Sequence, residues 1–240
     1  MLKKIQQDSH DKFEALGYPS KKLENWKFSP SKHLKKYSPK NLDQSNFSIE
    51  KYSDKYTLCF INGELATESL NHFIYKDSIT ILDIGELEDN SICSTSSNFE
   101  KEAFFHLGLS TVKTGKYFEF HKGVKFENPI KIINIYNKSD KDLRISSFNI
   151  FKLNEGNDIS IIEKDVNEGS GSFNLNLNKF ICPDNTILNH SMLYDDKTES
   201  NYLGYNYYDL GKSVLLNIDS MNIHSNFNKN FIEVDLNKEG

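Results

Sequence analysis

Apolar and polar residues alternate strictly at 173–178 (FNLNLN), within a region of short apolar runs that begins at about Ala103. Successive side chains of a strand point to opposite faces of its sheet, so this alternation predicts a half-buried β-strand. Helical spacing of apolar residues is almost absent from the region. The sequence therefore predicts a mainly β body, whose strands include Phe148, Ile150, Ile159, Ile161, Leu175, Leu177, Leu215, Ile218 and Val234.

A turn followed by a strand recurs at residues 156–161, 184–189 and 211–216, with offsets of 28 and 27 residues. A period of about 20 to 50 residues indicates a solenoid, in which each coil must stack on its neighbours to bury its apolar face. A fourth turn is expected at 237–240, and the inward aliphatic and aromatic side chains should form one continuous column. The alternative is a β-sandwich with evenly spaced hairpins.

The N-terminal third has a different pattern. Apolar residues of segment 2–16 fall on one side of a 3.6-residue spiral, and Gly17 followed by Pro19 supplies a stop. This segment is predicted to be an amphipathic helix that docks on the body. The only tryptophan, Trp26, follows in a charged stretch, and we expect it to anchor an extended arm.

Polar residues dominate the segment at 35–56, which predicts a loosely packed connector. Short strands bounded by turn residues are predicted at 57–63 and 79–84. The polar segment at 86–98 is expected to be a surface loop.

Composition excludes several classes of protein. The net charge is −5 and the basic residues are spread along the chain, which argues against a surface that grips nucleic acid. No apolar run of roughly 18 residues occurs, and no signal-peptide pattern follows the N-terminal lysines. We therefore expect a soluble, unexported protein. Three cysteines without a CxxC pair fit a reducing cytoplasm better than a disulfide framework or a zinc site.

The candidate ligand residues are few. Cys59, Cys93 and Cys182 come from unlike segments and are expected to be buried hydrophobic side chains, although Cys182 precedes a proline at a coil turn and is expected to be the one partly exposed. His190 and His224 lie 34 residues apart within repeat strands, which could place them on similar faces of nearby coils. Without a third ligand, we expect both to be surface residues rather than metal ligands.

Three segments resemble, in order, elements of one known protein family. Residues 17–29 (GYPSKKLENWKFS) resemble the family's N-terminal G-x-P-[ST]-[RK]-x-x-E-[DN]-W-[KR]-[YF]-[ST] element. Residues 104–109 with 118–132 (FEFHKGVKFENPIKI) are similar to the segment that opens the family's β-helix, and residues 229–240 (KNFIEVDLNKEG) to one of its coils. Together these segments resemble the SufB/SufD family of iron–sulfur cluster assembly scaffolds, and the N-terminal element favours the SufD-like subunit.

The resemblance covers essentially the whole chain and implies a mainly β fold. This fold is a right-handed parallel β-helix (solenoid), preceded by a small N-terminal helical and extended region. The change of pattern at about Ala103 divides the chain into an N-terminal helical arm and connector with short strands, residues 1–102, and a β-helix core, residues 103–240.

The resemblance also implies a non-catalytic, cytoplasmic scaffold. Such a subunit acts with a SufB-like subunit and a SufC-like ABC ATPase, and nucleotide-driven closure of the ATPase lets the complex assemble an iron–sulfur cluster. It assigns no catalytic, cofactor-binding or metal-binding residue to this chain. The charge distribution and the lack of a long apolar run predict no nucleic-acid or membrane partner.

Some positions depart from the family pattern. His121 stands where the family usually has proline, Gly108 where a polar residue is usual, and Lys238 where the last coil prefers glycine. The family continues for several coils and a helical region past the point that corresponds to Gly240. The resemblance therefore predicts an incomplete β-helix without a polar cap, whose main partner surfaces lie farther along.

Two other classes of protein stay open. A β-helix carbohydrate-active enzyme would need acidic residues with Arg or Lys on one face of consecutive coils, and the chain has one arginine, Arg144. The paired carboxylates Asp195-Asp196, and Asp83 near Glu86, indicate solvated turns, and no G-x-S-x-G, H-E-x-x-H or P-loop motif occurs. A generic structural repeat protein would have no reason to carry the tryptophan-bearing arm.

Overall fold

The protein, described by a computed structural model, is a parallel β-solenoid of about four turns with an N-terminal helix. The prediction of a mainly β, parallel β-helix is thereby confirmed. The structure describes residues 2–29, 31–39, 47–94, 98–137, 142–169, 171–195 and 200–236. Within that part of the chain, no helix is both long and apolar enough to cross a membrane.

Helices are confined to the first half of the described chain. The α-helices are α1 (Leu2–Leu16), α2 (Thr67–His72) and α3 (Ala103–Thr111). Short 3-10 turns lie at Glu24–Trp26, Lys32–Lys36, Lys76–Ser78, Ile84–Glu86, Asn90–Cys93 and Phe99–Lys101. The predicted helix at 2–16 is confirmed, and it ends where the Gly17 N–H donates to the Phe13 carbonyl at 2.8 Å with Gly17 at φ 66°.

Two sheets form the body, and each complete coil contributes one strand to each sheet. Sheet A contains β1 (Ser38–Pro39), β4 (Ile79–Asp83), β5 (Gly115–Phe120), β7 (Leu143–Lys152), β9 (Phe173–Cys182), β11 (Asn201–Leu210) and β13 (Phe227–Leu236). Sheet B contains β2 (Thr57–Ile61), β3 (Glu64–Leu65), β6 (Ile130–Tyr136), β8 (Asp158–Asn167), β10 (Ile187–Asp195) and β12 (Leu215–His224).

Pairing within the sheets is parallel between successive coils. The order is β13-β11-β9-β7-β5-β4 in sheet A, with β1 beside β7, and β12-β10-β8-β6-β2-β3 in sheet B. Among the described strands, only the β2–β3 and β4–β5 pairs are antiparallel. A β-sandwich built from hairpins is therefore excluded.

The repeat length differs by one residue from the predicted offsets. Asp158 pairs with Ile187, and Ile187 pairs with Leu215, so successive coils are 29 and 28 residues apart rather than 28 and 27. The reason lies in the turns, where one residue per coil has a positive φ, namely Gly156 at 82°, Asn185 at 60° and Ser213 at 55°. The left-handed residue fixes the register of each coil. The predicted turn segments begin at 156, 184 and 211, so the left-handed residue lies zero, one and two residues after their starts. The turn expected at 237–240 lies outside the described residues.

Strand β9 is buried on both faces, so the predicted half-buried strand is wrong in this respect. Leu175 and Leu177 point outward and are covered by α3 and the N-terminal arm. Asn174 and Asn178 point into the solenoid and are also buried. The alternation of residue types is therefore real, but its polar side faces the interior and not water.

Helix α3 is a second correction, since strands were expected from about Ala103. Residues Ala103 to Leu109 are all buried, because the helix lies between α1 and the outer face of sheet A. A helix that is buried all round shows no amphipathic period, which is why the sequence pattern does not reveal it. Gly108 permits the close approach: a Cβ there would lie 2.7 Å from Leu177 Cδ1.

The first rung of sheet B also differs from its prediction. Strand β2 ends at Ile61, and Asn62 and Gly63, at φ 51° and 86°, form a tight turn into β3. Two consecutive positive-φ residues with the sequence Asn-Gly are typical of a two-residue hairpin. The strand predicted at 57–63 is therefore two residues too long.

An aromatic ladder runs through one half of the interior. The rings of Phe118, Phe151, Phe180 and Tyr208, one per coil of sheet A, stack at 4.9 Å with interplanar angles of 8° to 13°. The predicted column of inward aromatic and aliphatic side chains is confirmed here. It does not fill the whole interior, because the other half is polar.

Candidate functional site

The arm tryptophan binds the body at a single point. Trp26 is 1% exposed, and its indole Nε1–H donates to the Glu102 carboxylate at 3.0 Å. The Asn25 amide donates to the other oxygen of the same carboxylate at 2.8 Å. Glu102 immediately precedes α3, so the arm is held at the start of that helix. The predicted anchoring role of Trp26 is confirmed.

Aromatic and charged contacts extend this point to the last described coil. The Trp26 ring lies 5.0 Å from the Phe104 ring of α3 and 6.1 Å from the Phe231 ring of β13, centroid to centroid. The Lys229 ammonium donates to the Asn25 carbonyl at 2.6 Å and lies 5.3 Å from the Trp26 ring centre. The segment that contains Trp26 thus contacts both of the other segments that carry the family resemblance.

A groove of about 460 Å³ opens beside this contact. It is bounded by the arm, by the 3-10 turn before α3 and by β13, through residues that include Glu24, Phe99, Lys101, Glu102, Phe231 and Glu233. Glu233 is held by the Asn98 amide, which donates to it at 2.7 Å. The groove is amphipathic, with an aromatic wall and a mainly acidic rim.

A second candidate site is the buried polar network inside the solenoid. Glu163 and His190 face each other on neighbouring strands of sheet B, with 3.0 Å between Oε2 and Nε2. The other ring nitrogen, Nδ1, lies 2.7 Å from the Tyr208 hydroxyl, so the imidazole is hydrogen-bonded between a carboxyl group and a phenol. Asn178 of sheet A donates to Glu163 at 3.0 Å, and Asn206 accepts from Asn178 at 3.1 Å. All five side chains are buried.

Asp165 is the centre of the other half of the network. The Asn134 amide donates to its carboxylate at 2.8 Å, and the Asn176 amide at 3.1 Å. The Tyr136 hydroxyl donates to Asn176 Oδ1 at 3.0 Å, and the Ser147 hydroxyl does so at 3.1 Å. Amide donors from both sheets therefore solvate a carboxylate that is 3% exposed.

Between the two halves lies a void of about 10 Å³, bounded by residues that include Glu163, Asp165, Asn176, Asn178, Tyr194 and Asn206. A void needs about 10 to 15 Å³ on this measure to hold one water molecule. A substrate cannot enter such a space. Its chemistry is limited to hydrogen bonding and proton sharing inside the body.

Burial makes the three thiols poor ligands and nucleophiles. It raises the pKa of Cys59 to about 11, of Cys93 to about 11 and of Cys182 to about 12. Cys59 and Cys182 are buried and Cys93 is half-buried. The expectation of a partly exposed Cys182 is wrong, because the residue ends β9 with its side chain pointing into the interior cluster around Phe180 and Leu188.

The two histidines of the repeat strands have different environments. His190 is 0% exposed, so the expectation of a surface residue is wrong for it. His224 is exposed and its ring lies 3.1 Å from the Asp195 carboxylate. In the β10–β12 pairing His190 stands opposite Ile218, six residues before His224, so the structure does not bring the two rings together. In the described chain, no three His, Cys, Asp or Glu side chains converge to hold a metal ion.

The carboxylates expected in solvated turns fall in different places. Glu86 and Asp83 cap a 3-10 turn, where the Asp83 N–H donates to Glu86 at 3.0 Å. Asp83 also pairs with Lys116 at 2.6 Å. Asp195 ends β10, and Asp196 lies outside the described residues.

Lys179 is a buried charge that the sequence analysis did not single out. It is 3% exposed on the outer face of sheet A, where its ammonium donates to the Ser94 carbonyl at 2.6 Å. Burial lowers its pKa and raises the pKa of nearby Asp209. One signal in the sequence could have revealed this buried charge: Lys179 stands where the apolar–polar alternation of residues 173–178 would place an apolar residue.

No family model and no curated protein matches this chain.

Proposed function

We propose that the chain is a SufD-like scaffold subunit of an iron–sulfur cluster assembly complex of the SufB/SufD type. In this role it acts with a SufB-like subunit and a SufC-like ABC ATPase, and the complex assembles the cluster. The proposal rests on the three segments whose sequences resemble that family and on the parallel β-solenoid, which is the fold the resemblance implies.

One observation carries the proposal. The resembling segments are far apart in the chain, since Trp26 precedes Phe104 by 78 residues and Phe231 by 205, yet the Trp26 ring contacts both of those rings. Segments that match one family by chance have no reason to converge. Segments that fasten an arm across a β-helix are expected to converge. A buried arm tryptophan needs aromatic side chains to pack against and an acceptor for its N–H, and the other segments can supply them.

The interior of the solenoid supports a scaffold over a carbohydrate-active enzyme. The two adjacent interior carboxylates, Glu163 and Asp165, are 7% and 3% exposed and are bonded to amide donors. A glycoside substrate must reach its pair of carboxylates, which those two do not permit. Arg144, the single arginine, is buried beneath the arm, where its guanidinium donates to the Tyr37 carbonyl at 3.1 Å.

Co-purification tests the proposal directly. The full-length product of the gene should be expressed with an affinity-tagged SufB-like subunit and ABC ATPase from the same organism. Stoichiometric retention of the chain through gel filtration is the expected result. A β-helix protein of another family, expressed at the same level, is the matched control and should not be retained.

A complementation assay gives the second readout. The gene should restore growth and iron–sulfur enzyme activity in a strain that lacks its SufD-like subunit. Failure of both retention and complementation, with the protein shown to be folded by circular dichroism, would remove the proposal.

A further inference from the structure

The arm between α1 and β1 carries a concentrated positive charge. Residues 17–37 contain six lysines and one glutamate, although the chain as a whole has a net charge of −5. Of these lysines, Lys36 pairs with Asp142 at 3.0 Å. No ion pair involves Lys21, Lys32 or Lys35 within the part of the chain that the structure describes.

These three unpaired lysines surround one cavity. It has a volume of about 600 Å³ and is lined by Tyr18, Pro19, Ser20, Lys21, Ser31, Lys32 and Lys35. No carboxylate is among these residues. Among the described residues, no carboxylate pairs with the three ammonium groups around this concave space, and such an arrangement favours an anionic occupant because its binding relieves their mutual repulsion.

The cavity wall is held in place by packing. The Tyr18 ring makes edge-on contacts with Phe13 of α1 at 5.2 Å and Phe104 of α3 at 5.7 Å. The Lys35 ammonium lies 4.9 Å from the Tyr18 ring centre. The Ser31 hydroxyl donates to the Pro19 carbonyl at 2.6 Å and so braces the two ends of the lining segment. The site therefore needs little reorganisation to bind a ligand.

A buried charge behind Tyr18 adds to the positive potential. Arg144 is 8% exposed, and its Nε has no hydrogen-bond partner among the described residues. Burial lowers the pKa of this guanidinium, and Tyr18 is the side chain that acts in the opposite direction. No ion pair of Arg144 occurs within the described ranges, and a buried charge is screened less than an exposed one.

We propose that this cavity, hereafter the lysine cavity, binds a small ligand through a phosphate or diphosphate group. Ammonium groups and serine hydroxyls are common donors to phosphate oxygens, and here the free hydroxyl donor is that of Ser20, because Ser31 donates to Pro19. A volume of about 300 to 1,000 Å³ is typical of small-molecule sites. A nucleic acid would instead need a basic surface that extends along its backbone. The lysine cavity shares the arm and the Phe104 packing with the Trp26 contact, but none of the residues that line the cavity takes part in that contact.

Calorimetric titration with inorganic pyrophosphate, on the complete chain, tests the proposal. Lys21→Gln/Lys32→Gln removes two charges from the cavity, and we expect it to weaken pyrophosphate binding at least about tenfold. Lys22→Gln/Lys27→Gln is the matched control, since it removes two exposed lysines of the same arm that do not line the cavity. We expect this control to change the affinity by less than about threefold.

Two further titrations define the ligand class. ATP should bind at the same site and compete with pyrophosphate, whereas citrate, a carboxylate trianion, should bind at least about tenfold more weakly than pyrophosphate. Equal losses in the two double variants would show diffuse charge attraction and overturn the proposal. So would citrate binding as tight as pyrophosphate, or no heat of pyrophosphate binding at millimolar concentration in the folded wild-type protein.

Discussion

A polar side chain that enters the solenoid interior loses its hydration, and this free-energy cost is offset only if it makes hydrogen bonds there. Glu163, His190 and Tyr208 meet this condition as one unit. The imidazole is bonded on both nitrogens, at 3.0 and 2.7 Å, and the carboxylate also accepts from Asn178. Removal of any member leaves another without its partner in a dry environment.

The first prediction concerns this unit. His190→Ala should lower the free energy of unfolding by about 3 kcal/mol, because it leaves buried groups short of a partner and opens a cavity. The matched control is His224→Ala, since the His224 side chain is 55% exposed. That variant should change the stability by less than about 0.5 kcal/mol. Urea unfolding followed by circular dichroism measures both, and similar small losses in the two variants would contradict the network.

The second prediction concerns the thiols. Only the thiolate reacts with iodoacetamide, and burial holds the pKa of Cys93 at about 11. Below its pKa the thiolate fraction rises about tenfold per pH unit, so labelling of half-buried Cys93 should be about 100-fold faster at pH 10 than at pH 8. Cys59 and Cys182 should be labelled only after unfolding. Mass spectrometry identifies the sites, and rapid labelling of Cys182 in the native protein would contradict its buried position.

At the scale of elements, each coil depends on a turn residue with a positive φ. Gly156, Asn185 and Ser213 occupy equivalent places between sheets A and B. Glycine adopts this conformation without strain, whereas serine pays about 1 to 2 kcal/mol for it. The three turns therefore have the same shape but differ in backbone strain energy.

The third prediction follows from that inequality. Ser213→Gly should raise the free energy of unfolding by about 1 kcal/mol, and Gly156→Ala should lower it by about 1 kcal/mol. A Cβ at Gly156 would meet only Gly123 Cα at 3.5 Å, so strain and not a clash sets the loss. Gly85→Ala is the control, because Gly85 has no positive φ and no atom within 4 Å of its added Cβ. Urea unfolding measures all three, and destabilisation by Ser213→Gly would contradict the assigned turn geometry.

The same elements show which part of the fold the sequence predicts. Helix α1, the Trp26 anchor and the solenoid repeat follow from local pattern, because period, caps and turn residues are local properties. The orientation of β9 does not follow, since alternation has the same period whichever face is inside. The arm and α3 cover the leucine face, which leaves the asparagines to fill the interior, and that packing depends on distant segments.

Burial of His190 escapes sequence analysis for the same reason. A histidine in an alternating strand looks like a surface residue until its partners are known, and Glu163 and Tyr208 come from other coils. The one-residue error in the predicted repeat length has a simpler cause. The left-handed positions of two coils are Asn185 and Ser213, so no glycine marks them in the sequence. Candidate sites built from several coils are therefore the part of this molecule that the sequence least reveals.

At the scale of the whole molecule, the N-terminal arm binds across several coils. Helix α1 packs on α3, the Tyr37 hydroxyl accepts from the Asn201 amide of β11 at 2.9 Å, and Trp26 reaches Phe231 of β13. Contacts from one short segment to successive rungs tie together coils that otherwise touch only their neighbours. The arm therefore acts as a brace along the outer face of sheet A.

The fourth prediction tests whether this brace detaches as a unit. Trp26→Ala removes a fully buried ring and its bond to Glu102, a loss of about 3 to 5 kcal/mol. The arm has few other large buried side chains, so it should open locally while the rungs keep their ladders. Trypsin should then cleave at the arm lysines at least about tenfold faster, and the β-helix should survive as a resistant fragment.

Phe28→Ala is the matched control for that experiment, because the Phe28 side chain lies two residues from Trp26 and is 88% exposed. It should leave the cleavage rate unchanged. Electrophoresis with mass spectrometry identifies the fragments, and circular dichroism reports the rungs. If Trp26→Ala abolished the β signal together with arm protection, the arm would belong to the same cooperative unit as the solenoid. If arm protection were lost while the β signal remained, the solenoid would fold without the arm. The arm would then dock on a body that is already formed.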